Sequence, residues 1–390
     1  MENSMVRNTL KKYTMVIALV LIIGFFYWGT KGSILFPQNI NNLLSQNAYV
    51  FILGTGMLMC ILTGGNIDLS VGSVLCFTGG IGALMMSKGI NLWVSVIAML
   101  LVGTAIGAWQ AFWVAYVKVP PFIATLAGMY AFRGLSNVVL NGYTVTVDNP
   151  VYLNVFGGGA DCYVPNFLGE VNGLNMTCMA FGIIGILVYV IVSVSKRSAA
   201  IKKGYESGSA AGYYAKVVIL SLVLLFLTYK LAGYKGIPTS LIWIIVVIGI
   251  YTYVTTKTTM GRYLYAVGGN EKATALSGIN TKKVYFFAYT NMGFLAAFAG
   301  ILQAARAQSA APTAGLIYEM DAIGACFIGG ASAYGGTGSV FGTIIGAVLM
   351  GVINQGMSIM GVDTNYQKVV KGLVLLVAVI FDVLSKREKK

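Results

Sequence analysis

Asp68 stands in the stretch Thr63-Gly64-Gly65-Asn66-Ile67-Asp68-Leu69-Ser70, between two long apolar runs. A carboxylate after a glycine break and before a helix can accept hydrogen bonds from the free N–H groups of the first turn. The same position, in a helix broken at membrane depth, is where a transport pathway presents a polar group. Both readings of Asp68 stay open, and Asn66 goes with it. Arg133 lies well inside an apolar run at 122–140. A guanidinium there costs about 2.5–3.5 kcal/mol to insert. It must face other helices, snorkel outward, or pair with a carboxylate such as Asp148 or Asp321. Asn354 and Gln355 sit late in another apolar run and either hold helices together or bond a polar solute. The chemistry these residues suggest is passage of a solute.

Other chemistry is excluded more firmly. The chain has no histidine, which removes the commonest general base and metal ligand. Its five cysteines, Cys60, Cys76, Cys162, Cys178 and Cys326, form no C-x-x-C pair. Four lie in or beside apolar segments and read as small hydrophobes. No catalytic constellation and no metal site are expected. The glycines of 329–338 resemble a phosphate loop only superficially. Such a loop needs Lys after its last Gly, and the chain contains no Gly-Lys dipeptide. The segments GGNIDLSVGSV (64–74) and GGASAYGGTGSV (329–340) echo each other faintly, by chance or because two halves of the chain are related.

The elements that hold these residues follow from composition. Hydrophobic residues make up 57% of 390 and charged residues only 10%, with mean hydropathy +0.79. A soluble domain carries roughly 25% charge. The chain therefore reads as an all-α polytopic membrane protein, one transmembrane domain over 1–390. Its net charge of +14 is assigned to Lys and Arg in cytoplasmic loops. No aromatic-basic patch points to nucleic acid.

Arg7, Lys11 and Lys12 precede the first apolar run, 13–28, and no small-x-small cleavage site follows before Lys31. This predicts an uncleaved span with a cytoplasmic N-terminus. Runs at about 48–62, 71–86, 92–117 and 122–140 come next, with Val119-Pro120-Pro121 stopping one helix and starting another. Residues 141–175 carry three acidic residues and no Lys or Arg, as an extracytoplasmic loop would. Residues 176–233 hold two runs around a basic loop, 196–216. A run at 238–254 leads to a second basic loop, 257–284, also placed inside. Runs at 285–305, 339–357 and 369–384 complete the set, the last ending in Lys386, Arg387, Lys389 and Lys390. The apolar segment 321–333 is too short to cross a bilayer of about 30 Å as a regular helix. Counted as a glycine-broken half-helix it gives about twelve crossings with both termini inside. Counted as re-entrant it gives eleven, against the charge of the C-terminus.

The loop 257–284 contains GRYLYAVGGNEKATALSGINTKK. Gly268-Gly269 breaks the chain, Asn270 caps a helix, Glu271 puts negative charge in its first turn, and Gly278 ends it. A short capped helix over 271–277 results. It is either an ordinary inter-helix loop or an element on which a soluble partner pushes.

Four motifs, GGNIDLSVGSV, KVPPFIATLAGMYAFRG, GRYLYAVGGNEKATALSGIN and DAIGACFIGGASAYGGTGSVFGTIIGA, together resemble the membrane permeases of bacterial ABC-type monosaccharide importers. These are the ribose, xylose and galactoside class, and the xylose-type and multiple-sugar members look closest. The resemblance covers nearly the whole chain and keeps the family's motif order. It implies a permease in the bacterial cytoplasmic membrane, working as a homodimer with a cytoplasmic ABC ATPase and an extracytoplasmic sugar-binding protein. It implies that no cofactor binds this chain, ATP and Mg residing on the ATPase. Asn270, Glu271, Lys272, Ala273, Leu276, Ser277, Gly278 and Ile279 map onto the family's coupling helix. The family core has about ten spans, so 176–233 is an inserted hairpin. Asn66, Asp68, Arg133, Asn354 and Gln355 are candidates for the pathway. The alternatives are a permease for branched-chain amino acids or nucleosides, and an ion-coupled transporter using Asp68, Asp321 or Asp363, the last two read as interfacial.

Overall fold

The computed structural model describes residues 2–159, 161–205 and 209–387. Lys389 and Lys390 lie outside the described residues. The apolar runs all become helices. In chain order these are α1 (Glu2–Gly29), α2 (Pro37–Gln46), α3 (Ala48–Leu62), α4 (Val71–Ser87), α5 (Leu92–Phe112), α6 (Pro121–Leu140), α7 (Pro150–Phe156), α8 (Met176–Lys202), α9 (Ala210–Ala232), α10 (Thr239–Lys257), α11 (Thr259–Gly269), α12 (Glu271–Leu276), α13 (Thr281–Ala307), α14 (Tyr318–Ile328), α15 (Val340–Ile359) and α16 (Thr364–Arg387). The strands β1 (Val145–Thr146) and β4 (Ser309–Ala310) pair antiparallel, as do β2 (Glu170–Val171) and β3 (Leu174–Asn175). They tie loops together and form no layer of their own.

Among the described residues, seven helices are long and apolar enough to cross a membrane, or eight if α2 and α3, bent by 42°, form one span. The fold is thus all-α and polytopic, as expected, with a firm count below the expected twelve. Several runs fall short on length: α4 has 17 residues and α14 only 11.

Three helices were not foreseen: α2, α7, which Asn149 and Pro150 open inside the segment 141–175 expected to be loop, and α11. Pro37 opens α2 at its first turn, a signal legible in the sequence. The segment read as a glycine break is instead the last turn of α11. Gly268 is there because a Cβ would lie 1.8 Å from the Leu62 carbonyl oxygen. The break comes one residue later, where Asn270 is extended at φ −162°. At the other proline signal the expectation holds. The helix after Phe112 widens into a π-turn over Trp113–Val117, Lys118 turns left-handed at φ 67°, and Pro121 starts α6.

The core is built on α3, all of whose residues are buried, and on α13. Small residues let α13 approach α5. A Cβ on Gly103 would meet that of Ala297 at 2.4 Å, and one on Gly293 would meet the Gly103 carbonyl oxygen at 2.3 Å. Such backbone approach is how helices pack where lipid offers no hydrophobic drive. The hairpin α8–α9 is peripheral: only 11% and 6% of its apolar windows are buried.

The two echoing glycine segments meet in space. Gly65, at φ 76°, would bring a Cβ within 1.9 Å of the Ala333 carbonyl oxygen, and Gly335 would bring one within 2.4 Å of Gly64 Cα. The amide of Gly336 donates to the Leu62 carbonyl (3.1 Å). At the far end of α3, Tyr49 stacks on Tyr318 with ring centroids 3.6 Å apart. Residues 318–336 therefore run alongside α3 from one end to the other, partly as helix and partly as glycine-rich loop.

Candidate functional site

The short helix α12 forms as its sequence dictates. The Asn270 side chain accepts from the Ala273 amide at 3.0 Å, and Gly278 takes φ 82°. Thr274 turns inward and is buried, whereas Lys272, Ala273, Leu276, Ser277 and Gly278 are exposed. Leu276 is 89% exposed, a large apolar side chain on a surface helix. Ile279 is partly covered.

Glu271 faces the bundle. Lys118 Nζ lies 3.3 Å from its Oε1. The Tyr285 hydroxyl lies 3.0 Å from its Oε2 and 3.1 Å from the Thr63 carbonyl oxygen, one proton serving two acceptors. Lys118 also sits over the Tyr285 ring, 5.4 Å from its centroid. Asn66 Nδ2 returns to Thr63 Oγ1 (3.2 Å) and its carbonyl (3.3 Å). A chain of contacts thus joins α12 to the end of α3, where the chain breaks at Gly64-Gly65. The exposed Lys118–Glu271 pair contributes little stability in water; its value is in fixing where α12 stands.

Asp68 is 2% exposed. Its Oδ1 accepts from the Ser70 amide (2.8 Å) and the Ser70 hydroxyl (2.6 Å), and Gln110 Nε2 donates to that hydroxyl at 2.7 Å. The carboxylate shapes the turn before α4 and links it to α5; it does not cap the first turn of α4 directly. Among the described residues Arg133 makes no ion pair with Asp148 or Asp321, although the Glu319 carboxylate lies close enough to feel its charge. Arg133 Nη1 donates to the carbonyls of Pro312 (3.2 Å) and Ala314 (2.5 Å), which a non-helical stretch leaves free.

Asp321, which the sequence placed at an interface, is fully buried. The middle of α14, from Asp321 to Cys326, is buried. Asp321 Oδ2 accepts from Tyr49 Oη (2.5 Å), Lys371 Nζ (2.9 Å) and Asn354 Nδ2 (3.5 Å). Asn354 also donates to Asn47 Oδ1 at 3.0 Å. This network forms one wall of a chamber of about 270 Å³ whose lining includes Gln46, Asn47, Gln303, Arg306, Tyr318, Asn354 and Lys371. The chamber lies at the Ala307 end of α13. The helix α12 lies near its other end, which by length is about 40 Å away. Gln355, beside Asn354, is buried but does not line the chamber.

Of the five polar residues singled out in the sequence, only Asn354 lines this chamber. Asp363 is exposed and accepts from the Asn365 amide. Sequence reasoning missed Asn47, Arg306, Lys371 and Tyr285. A lysine inside the last apolar run was a legible signal for Lys371; Tyr285, an ordinary aromatic in an apolar run, offered none. Among the described residues no group of His, Cys, Asp or Glu is arranged to hold a metal.

A helical bundle of this kind, with a polar chamber near one end of its central helix and an exposed tethered helix at the other, defines a polytopic membrane protein. Residues 39–379 match the family described as branched-chain amino acid transport system / permease component, and the chain belongs to that family. It is a transport subunit and not an enzyme. It is 36% identical over 379 residues to the xylose transport system permease protein XylH of Escherichia coli, covering 97% of this chain and 93% of that one. To XylH of Haemophilus influenzae it is 37% identical over 380 residues, 97% and 98% of the two chains. The ribose import permease protein RbsC of Escherichia coli is 36% identical over 345 residues, 88% of this chain and 85% of that one. No solved structure matches the chain.

Proposed function

We propose that this chain is the permease subunit of an ATP-driven, binding-protein-dependent importer of a monosaccharide in the bacterial cytoplasmic membrane. Xylose is the first candidate substrate, because similarity to xylose permeases spans 97% of the chain. Two copies of the chain, embedded in lipid, pair with two ATPase subunits and receive sugar from an extracytoplasmic binding protein. ATP and Mg stay on the ATPase. The observation that carries this reading is α12, exposed at Leu276 and tied through Glu271 and Tyr285 to Thr63. A push on its outer face reaches the glycine breaks of the bundle directly, as a two-state rearrangement requires.

The membrane topology that fits is twelve crossings, with both termini and the loops 196–216 and 257–284 in the cytoplasm and 141–175 outside. The segment 318–336 supports the count, since it follows α3 from Tyr49 to Leu62. Asn354 and Gln355 belong to the outer half of the pathway. Asn66 and Asp68 belong to the broken segment that reshapes it, and Arg133, on α6, fixes the non-helical stretch at Pro312 and Ala314 beside it. Substituting each in reconstituted uptake assays tests the assignment; a residue whose loss leaves uptake unchanged leaves the pathway.

The deciding experiment is purification from native membranes, with ATPase activity assayed in what co-elutes. Leu276→Asp is expected to release a soluble ATPase chain without lowering thermal stability, since the side chain is exposed. Tyr285→Phe is expected to keep that partner but lower sugar moved per ATP. A protein that purifies alone and drives uptake on an ion gradient without ATP would refute the reading and return Asp68 as an ion site. The family description favours one second reading, a branched-chain amino acid as substrate; uptake of leucine against xylose separates them.

A further inference from the structure

We infer that the chamber beside Asp321 is a binding site for a single monosaccharide ring, with Arg306, Gln46, Gln303 and Asn354 as its hydrogen-bonding groups. The inference rests on the importer reading and names where in the chain the sugar is held.

Four observations carry it. The lining is rich in neutral amides, with Gln46, Asn47, Gln303, Asn354 and Gln367 converging from α2, α13, α15, α16 and the bend before α3. Amides carry donors and acceptors together, which is what a polyhydroxylated ring presents in return. The volume is that of a small ligand: about 270 Å³ falls just below the roughly 300–1,000 Å³ of pockets for drug-sized ligands. The site also has free capacity. Arg306 Nε and Asn354 Oδ1 are buried and have no hydrogen-bond partner among the described residues. Buried polar atoms are nearly always paired, and these two belong to side chains on the chamber wall. Finally, the wall is held in advance. The Asp321 carboxylate fixes Tyr49, Lys371 and Asn354 at once, and Tyr318 is stacked on Tyr49. The Asp321–Lys371 pair cancels its own charge, so Arg306 is the remaining formal charge of the lining, which suits hydroxyl groups sharing a fork of donors.

At the chamber end of α13, away from α12, the site would take sugar before the glycine-broken segments move. The test uses the whole importer, permease with ATPase and loaded binding protein, in proteoliposomes with radiolabelled xylose. Arg306→Gln and Asn354→Ala are each made. Among the described residues Arg306 Nε has no hydrogen-bond partner, so its variant is the cleaner one. Initial uptake at saturating loaded binding protein is expected to fall at least about tenfold, the factor that corresponds to about 1.4 kcal/mol. ATP hydrolysis stimulated by the binding protein is expected to persist, so that sugar per ATP falls. Thermal stability of the Arg306 variant is expected to match the parent. Unchanged uptake and unchanged sugar per ATP in both variants would overturn the chamber as a sugar site while leaving the importer intact. Absence of ATP-dependent uptake in the parent protein would overturn the importer reading itself.

Discussion

Asp321 and Lys371 show what charged residues do when a helical bundle encloses them. Asp321 is fully buried and Lys371 nearly so, on the chamber wall, and their 2.9 Å pair lies among α3, α14 and α15. Removing one partner from a buried pair leaves the other charge uncompensated and costs about 3–5 kcal/mol, while replacing both with neutral groups is often close to neutral. Lys371→Met is therefore expected to lower the midpoint of thermal unfolding in detergent sharply. The double variant Lys371→Met with Asp321→Asn is expected to recover most of the loss, because Asn keeps an acceptor for the Tyr49 hydroxyl. Equal destabilisation in single and double variants would mean that the two side chains do not act as a pair. Lys371 was conspicuous in its apolar run, but nothing local pointed to Asp321 as its partner. The partners are fifty residues apart, and Asp321 follows Met320 in a segment too short to identify as a span. Asn354 was found because an amide in an apolar run is conspicuous by itself. Arg306, at the close of an apolar helix, looked like an ordinary end-of-span cation.

At the scale of elements, apolar run length marked the spans, but α1, α8 and α9 run on for two turns or more into their polar, basic flanks, where composition alone does not separate helix from loop. The misses have physical causes. The helix α2, PQNINNLLSQ, is too polar to register as a span, since it is half of a bent pair. The helix α11 was read as loop because its glycines looked like breakers, when they serve close approach. The glycine breaks themselves were legible, but their mutual contact was not, because nothing local in either segment points to the other. Gly65→Ala tests that contact. A side chain at φ 76° costs about 1–2 kcal/mol, and forcing the Ala333 carbonyl aside costs about 1–3 kcal/mol more. The variant is expected to lose uptake and to unfold at lower temperature. Gly269→Ala, where a Cβ meets nothing within 4 Å, is expected to behave as the parent protein. If the two variants behave alike, the packed junction between the broken segments does not govern stability or transport.

For the whole molecule, the question is whether the α8–α9 hairpin belongs to the transporting unit. The core closes beneath it. Val164 donates its amide to the Ile237 carbonyl and Thr239 donates to Cys162, both at 2.9 Å. The Asn175 side chain reaches the Lys235 carbonyl at 3.4 Å, so the two ends of the insertion already touch. Inside it, Cys178, Leu231 and Ala232 form a small cluster with Ile40 of α2, separate from the main core. Removing the hairpin would bare Ile40 to lipid tails, which are as apolar as the side chains they replace, so the loss in stability should be small. A variant in which a short glycine-serine linker replaces residues 176–233 is expected to insert, to bind the ATPase through α12, and to retain ATP-dependent uptake. Were the variant to fold and bind ATPase yet fail in uptake, the hairpin would carry a step of transport. The basic segment 196–216, which takes in the end of α8 and the start of α9, would then be the first place to look for it, because the rest of the hairpin presents mainly apolar side chains to its surroundings.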